Sequence, residues 1–119
     1  MIKGIGVDIV GIESFRKIKS DQDFIEQILT PKEISTLHGD ARNAVQIATA
    51  FALKEAVMKA LGWGLTYGSF WHDIKVTENG QINLTGNLRE QATKIRVSKI
   101  HSSYSHSKKF ITAFVILED

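Results

Sequence analysis

Three charged residues interrupt an otherwise apolar stretch in the middle of the chain: Lys54, Glu55 and Lys59, within Phe51-Ala52-Leu53-Lys54-Glu55-Ala56-Val57-Met58-Lys59-Ala60. Glu55 and Lys59 are four residues apart, so on a helix they share one face about one turn from each other, while Lys54 is rotated by roughly 100°. A carboxylate beside an ammonium has two readings. One is an ordinary pair on a solvated stripe, worth roughly 0.2–0.5 kcal/mol. The other is part of a site for a charged ligand, a reading that a second carboxylate would favour. Asp8 is the candidate. Met1 to Val10 reads as a strand with Ile5, Val7 and Ile9 on one face and Gly4, Gly6, Asp8 and Val10 on the other. Glycines inside a strand commonly mark close approach of a ligand or of another backbone, and these two clear the face from which Asp8 projects. They form no dinucleotide fingerprint, because Ile9 stands where the third glycine of G-x-G-x-x-G belongs. Taken alone, Asp8 reads equally well as a strand-end residue reaching solvent.

The element that must carry Glu55 and Lys59 is a helix from about Arg42 to Leu61, apolar almost all the way round and therefore a core helix. Gly62 stops it, and Gly62-Trp63-Gly64-Leu65-Thr66-Tyr67-Gly68 is a loop whose glycines could let backbone approach a phosphate. Trp63, Tyr67, Phe70 and Trp71 cluster there, as packing or interface residues. Before the long helix, Glu13 to Lys19 forms a short helix and Asp21 caps a second. Thr30-Pro31-Lys32-Glu33 is a capping box with proline at the first position, starting a helix through about Leu37 that His38-Gly39-Asp40 ends. After it, Glu78-Asn79-Gly80 joins Ile74–Thr77 to Gln81–Leu84 as a hairpin. Asn87 to Arg96 is a short helix, and Lys99–Ser105 alternates as a strand. Phe110–Leu117 is apolar on both faces, which predicts a strand covered on both sides. The order predicts one α+β domain, residues 1–119, with an antiparallel sheet packed on the long helix.

Composition narrows the function classes. A hydrophobic content of 43% excludes a disordered chain, and the absence of cysteine excludes disulfides, thiolate metal sites and a cysteine nucleophile, which suits a cytoplasmic protein. No signal peptide is expected, and the charges of the long helix rule out a membrane span. A net charge of +2 is too small to argue for nucleic acid. Lys94-Ile95-Arg96 with Lys99, and Lys108-Lys109, read as solvated faces that could meet an acidic partner. His38, His72, His101 and His106 have no metal-ligand spacing, and no serine sits in a nucleophile elbow.

Gly4-Ile5-Gly6-Val7-Asp8-Ile9-Val10, Phe51-Ala52-Leu53-Lys54-Glu55-Ala56 with Lys59-Ala60, and Ser105-His106 before an apolar last strand together resemble the holo-[acyl carrier protein] synthase family of 4'-phosphopantetheinyl transferases. The likeness spans nearly the whole chain, in order. It implies the 4'-phosphopantetheinyl transferase fold and transfer of the phosphopantetheine arm of coenzyme A to a serine of apo acyl carrier protein, releasing adenosine 3',5'-bisphosphate, in fatty acid biosynthesis. It also implies Mg²⁺, with Mn²⁺ as a substitute, held by Asp8 and Glu55. Mg²⁺ prefers one or two carboxylates plus waters and substrate phosphates. Lys59 would neutralise the same phosphates, and Gly62, Gly64, Lys59 and His106 would contact coenzyme A. The general base stays open between a metal-bound water and His106.

The chain departs from the family pattern in places that bear on binding. Gly11 and Ser14 stand where relatives carry glutamate and a carrier-docking arginine, with Arg16 and Lys17 nearby. Ala50 replaces the arginine before Phe-Ala that helps hold coenzyme A phosphate, and Gly62-Trp63-Gly64 replaces Gly-Thr-Gly. The resemblance further implies a homotrimer with active sites in clefts between subunits, with His106 a candidate to reach the neighbour's Asp8 and Glu55. The alternative is a non-catalytic basic module that binds an acidic carrier domain or nucleic acid.

Overall fold

A computed structural model describes residues 1–39, 41–62 and 70–119, with backbone alone at 41 and 42. The elements are β1 (Ile2–Gly11), α1 (Ile12–Ile18), α2 (Gln22–Ile28), α3 (Pro31–Ser35), α4 (Ala41–Ala60), β2 (Ile74–Val76), β3 (Ile82–Leu84), α5 (Gly86–Lys94), β4 (Lys99–His106) and β5 (Phe110–Glu118). This is the α+β order that the periodicities predict, with ends shifted by a residue or two. Local chemistry explains the boundaries. Thr30 Oγ1 accepts from the Glu33 amide at 3.2 Å and Glu33 Oε1 accepts from the Thr30 amide at 2.9 Å, closing the capping box of α3. Past α4, Gly62 turns the chain with φ of 80° while its amide donates to the Lys59 carbonyl. The β2–β3 hairpin turns at Gly80, also at φ of 80°.

The main sheet is antiparallel in the order β1-β5-β4, so the last strand lies in the middle and β1 and β4 form the edges. Helix α4 lies across one face, against β1 and β5. Gly4 and Gly6 set the distance. A Cβ at Gly4 would stand 2.0 Å from the Ala60 carbonyl oxygen, and one at Gly6 1.8 Å from that of Ala56. Backbone on both sides has nothing to shift, so these glycines serve helix-on-strand packing. Of the two readings that strand glycines allow, close approach of another backbone is the one realised.

On the side of α4 away from the sheet, an aromatic group fills the core. Phe51 stacks on Trp71 with centroids 5.3 Å apart and planes at 22°, and Phe15 approaches Phe51 at 5.3 Å. Trp71 is thus a packing residue, and Phe70 packs half-buried beside the core. Trp63, Gly64, Tyr67 and Gly68 lie outside the described residues, as does Asp40.

The final strand corrects one expectation. Ile111, Ala113, Val115 and Leu117 are buried on the α4 side, but Phe110 and Phe114 of β5 are exposed. Ile5, Val7 and Ile9 of β1 pair in register with Ile116, Phe114 and Thr112, so they share this uncovered outer face. One helical layer covers one side of a sheet, whereas a strand apolar on both faces needs a second layer.

Candidate active site

The contact between Gly6 and Ala56 brings Asp8, two residues further along the same face of β1, against α4. Lys59 Nζ donates to Asp8 Oδ1 at 2.8 Å and to the Val7 carbonyl at 3.1 Å. The ion pair of Lys59 is therefore made across the sheet–helix contact, with Asp8 rather than with Glu55 one turn back. The structure departs here from the local i,i+4 reading. Glu55 is buried, and its Oε1, like Oδ2 of Asp8, has no hydrogen-bond partner. Burial above all, and then the neighbouring charge of Asp8, raise the pKa of the Glu55 carboxyl, while Lys59 pulls it down.

Two carboxylates beside one ammonium that bonds only Asp8, each with a buried and unused oxygen, form an unbalanced group. A hard divalent cation fits it. Among the described residues no group of three or more His, Cys, Asp or Glu is assembled. Asp8 and Glu55 would thus supply two ligands and leave the rest to water and phosphate oxygens, the coordination Mg²⁺ favours.

The charge next to Glu55 has a different destination. Lys54 is fully buried, and its ammonium donates to Glu33 Oε1 at 2.7 Å, to the Ile28 carbonyl at 2.7 Å and to the Trp71 carbonyl at 3.2 Å. Glu33 Oε2 accepts from the Val76 amide at 2.7 Å. Every proton of the ammonium and both oxygens of the carboxylate are used, which is the condition for keeping such a pair in the core. Burial lowers the pKa of Lys54, and Glu33 opposes that shift. The pair ties α2, α3, α4, β2 and the backbone at Trp71 together. Sequence reading assigned Glu33 only to the capping box and gave Lys54 no partner. The signal available was a lysine on an apolar face of a core helix, which demands a buried anion somewhere.

His106 sits elsewhere. It ends β4, the opposite edge of the sheet from β1, in register with Ile111, whose other partner is Val10. Two strand spacings, about 10 Å, separate those edges. His106 Nδ1 is engaged with the Ser107 carbonyl at 2.8 Å. With Tyr104, Leu29, Val45, Thr49 and Ala50 it lines a cleft of about 210 Å³. The chain therefore brings Asp8, Glu55 and Lys59 together and holds His106 apart from them. Gly62 follows Lys59 by less than one turn and is exposed, with open space where a Cβ would stand. Gly64 lies outside the described residues. Ser14, Arg16 and Lys17 are exposed on α1, Arg16 pairing with Glu13 at 3.4 Å.

A model of the 4'-phosphopantetheinyl transferase superfamily matches residues 4–115. A holo-[acyl-carrier-protein] synthase of Geobacter sulfurreducens is 36% identical over 124 residues, covering 99% of this chain and 98% of its own length. The structure of the holo-[acyl-carrier-protein] synthase from Neisseria meningitidis is similar with a TM-score of 0.84 at 29% identity, over 100% of both chains. The Helicobacter pylori holo-[acyl-carrier-protein] synthase, solved in complex with coenzyme A, is similar with a TM-score of 0.75 at 31% identity, over 96% of this chain and 99% of that one. Agreement of sequence and fold over almost the full length makes this protein a member of the 4'-phosphopantetheinyl transferase superfamily.

Proposed function

We propose that this protein is a holo-[acyl-carrier-protein] synthase, which transfers 4'-phosphopantetheine from coenzyme A to a serine hydroxyl of apo acyl carrier protein. The observation that carries the reading is the pair of buried, unpartnered oxygens on Asp8 and Glu55 beside the Lys59 ammonium, in a chain whose relatives bear that name. In the reaction the serine hydroxyl gives its proton to a base, and its oxygen forms a bond to the phosphorus that bears the pantetheine arm. The bond from that phosphorus to the bridging oxygen breaks, and adenosine 3',5'-bisphosphate leaves. Displacement of this kind asks a protein mainly for positioning and charge neutralisation. Asp8 and Glu55 hold Mg²⁺, or Mn²⁺ in its place, and the ion supplies charge neutralisation for the diphosphate. Lys59, on a flexible and half-exposed stem, pairs with the same phosphates and stabilises the leaving oxygen. Gly62, with Gly64 beyond it, lets backbone approach them. The whole chain acts as one domain, in the cytoplasm, in fatty acid biosynthesis. Among the described residues no helix is long and apolar enough to cross a membrane. The comparisons give no support to a basic binding module. Incubation with coenzyme A, Mg²⁺ and apo acyl carrier protein is expected to raise the carrier's mass by one phosphopantetheine group. An unchanged carrier mass, with an authentic synthase active on the same carrier, would overturn the reading.

The proposal includes a homotrimer with an active site in each cleft between subunits. The outer sheet face supports it: Ile5, Val7, Ile9 and Phe114 are 54%, 46%, 62% and 40% exposed, a contiguous apolar surface of the sort that subunits cover. The separation of His106 from Asp8 supports it too, since His106 of the partner subunit can complete a cleft that one chain leaves open. Glu55→Ala and His106→Ala proteins, each inactive alone, are expected to regain activity when mixed and allowed to exchange subunits. Exchange without recovery would sink the shared cleft, and a light-scattering mass of one chain would sink the trimer.

A further inference from the structure

Lys59 occupies the place where a cation would be drawn. Its ammonium is bonded to Asp8 and to the Val7 carbonyl at 2.8 and 3.1 Å, although Glu55 lies one turn away on the same helix. The Asp8 side chain is 12% exposed and that of Lys59 49% exposed, so the carboxylate is held in the fold while the lysine stem has room to leave it. The two oxygens left over, Oδ2 of Asp8 and Oε1 of Glu55, point to a ligand that the single ammonium does not replace. A divalent ion binding these oxygens meets the positive charge of Lys59 on the other oxygen of the same Asp8. That charge disfavours the ion. A bound diphosphate reverses the balance, because it offers the ammonium a dianionic partner and offers the ion further oxygen ligands. The titratable groups facing this point are Asp8 and Glu55 from β1 and α4, with Lys59 their one cationic contact among the described residues.

We infer that Lys59 is a specificity-determining counter-cation: by holding Asp8 it makes the site select the divalent ion together with its diphosphate-bearing substrate over the free ion. Metal and substrate then bind with positive coupling, and by linkage each raises the affinity for the other equally. The inference rests on the proposed metal site at Asp8 and Glu55, and goes beyond it in assigning the lysine a part in the order of binding. The lysine acts before the chemistry as well as during it.

The test is titration of the folded protein with Mn²⁺ alone, followed by electron paramagnetic resonance of the free ion, and repeated with coenzyme A present. Lys59→Met keeps the length of the stem and removes the charge. It is expected to bind Mn²⁺ at least about tenfold more tightly than wild type when coenzyme A is absent, and to show a smaller gain in Mn²⁺ affinity when coenzyme A is added. Lys59→Arg keeps the charge and is expected to bind free Mn²⁺ as wild type does. Thermal melts of each variant confirm that the half-exposed position tolerates the change. Equal or weaker binding of free Mn²⁺ by Lys59→Met overturns the inference and leaves the metal site standing, provided Asp8→Asn abolishes binding. Failure of wild type to bind Mn²⁺ even with coenzyme A overturns the metal site and the inference together.

Discussion

Glu55→Gln is expected to lower phosphopantetheine transfer at least about a hundredfold, the scale on which a lost electrostatic contact to the reacting group is felt, while leaving the protein as stable as before or more so. The two effects have one cause. Glu55 is buried beside Asp8 and its Oε1 has no partner, so its charge costs the fold something and serves the ligand. Glutamine keeps the shape and the helix propensity and removes the charge. The pH dependence follows from the raised pKa of Glu55, whose folded-state value lies above its ordinary 4.5. A carboxyl raised in this way binds its proton more tightly when folded, so its stabilising contribution is complete below about pH 4.5 and is lost as pH climbs through the folded value. In EDTA, wild type and Glu55→Gln should therefore melt alike at low pH, with the variant gaining as pH rises to neutrality. Near-wild-type transfer by the variant at limiting Mg²⁺ would show that Glu55 does not hold the ion. A variant that melts progressively below wild type with rising pH would show that the carboxylate has a partner in the fold.

Glu33→Gln is expected to have the largest effect on stability, about 3–5 kcal/mol, because it leaves the Lys54 ammonium charged and buried without an anion. For a domain of this size the loss amounts to a fall in Tm on the order of 10–20 °C. Removing both charges is predicted to cost much less. Glu33→Leu with Lys54→Met replaces the pair with apolar side chains of similar volume, which is frequently neutral for buried ion pairs. The residual cost comes from the Thr30 and Val76 amides, which lose the carboxylate that accepts from them, and from the Ile28 and Trp71 carbonyls, which lose the ammonium that donates to them. Chemical denaturation of the single and double variants measures the coupling directly. If Glu33→Gln matched wild type in stability, Lys54 would be shown to keep no charge in the core. If the double variant were as unstable as the single one, the hydrogen bonds to the backbone would outweigh the ion pair.

Much of the architecture was legible from local rules. The capping box at Thr30 to Glu33, the Asn79-Gly80 turn and the glycine after α4 each depend on residues within four positions of one another, and each was found where the rules put it. The alternation of β1 put Asp8 on the same face as Gly4 and Gly6, and the apolar run of α4 made it a core helix, so the site's two supports could be read without coordinates. The resemblance carried by those segments then identified the family.

The partners of the charges were not legible, for a physical reason. An i,i+4 rule ranks only neighbours on one helix, and by that rule Lys59 belonged to Glu55. The tertiary structure offered Asp8, 51 residues away, because Gly6 lets β1 pack against the backbone of α4 at Ala56. Lys54 and Glu33, 21 residues apart, are likewise brought together only by the tertiary structure. His106 was placed by sheet order, which follows from which strand lies in the middle and not from any pattern within β4. The sequence by itself determined which residues lie on strands and helices and which faces are apolar, since those depend on periodicity along one segment. Only the tertiary structure decided which charge neutralises which, because an ion pair in a core is settled by the approach of backbones that are far apart in the chain.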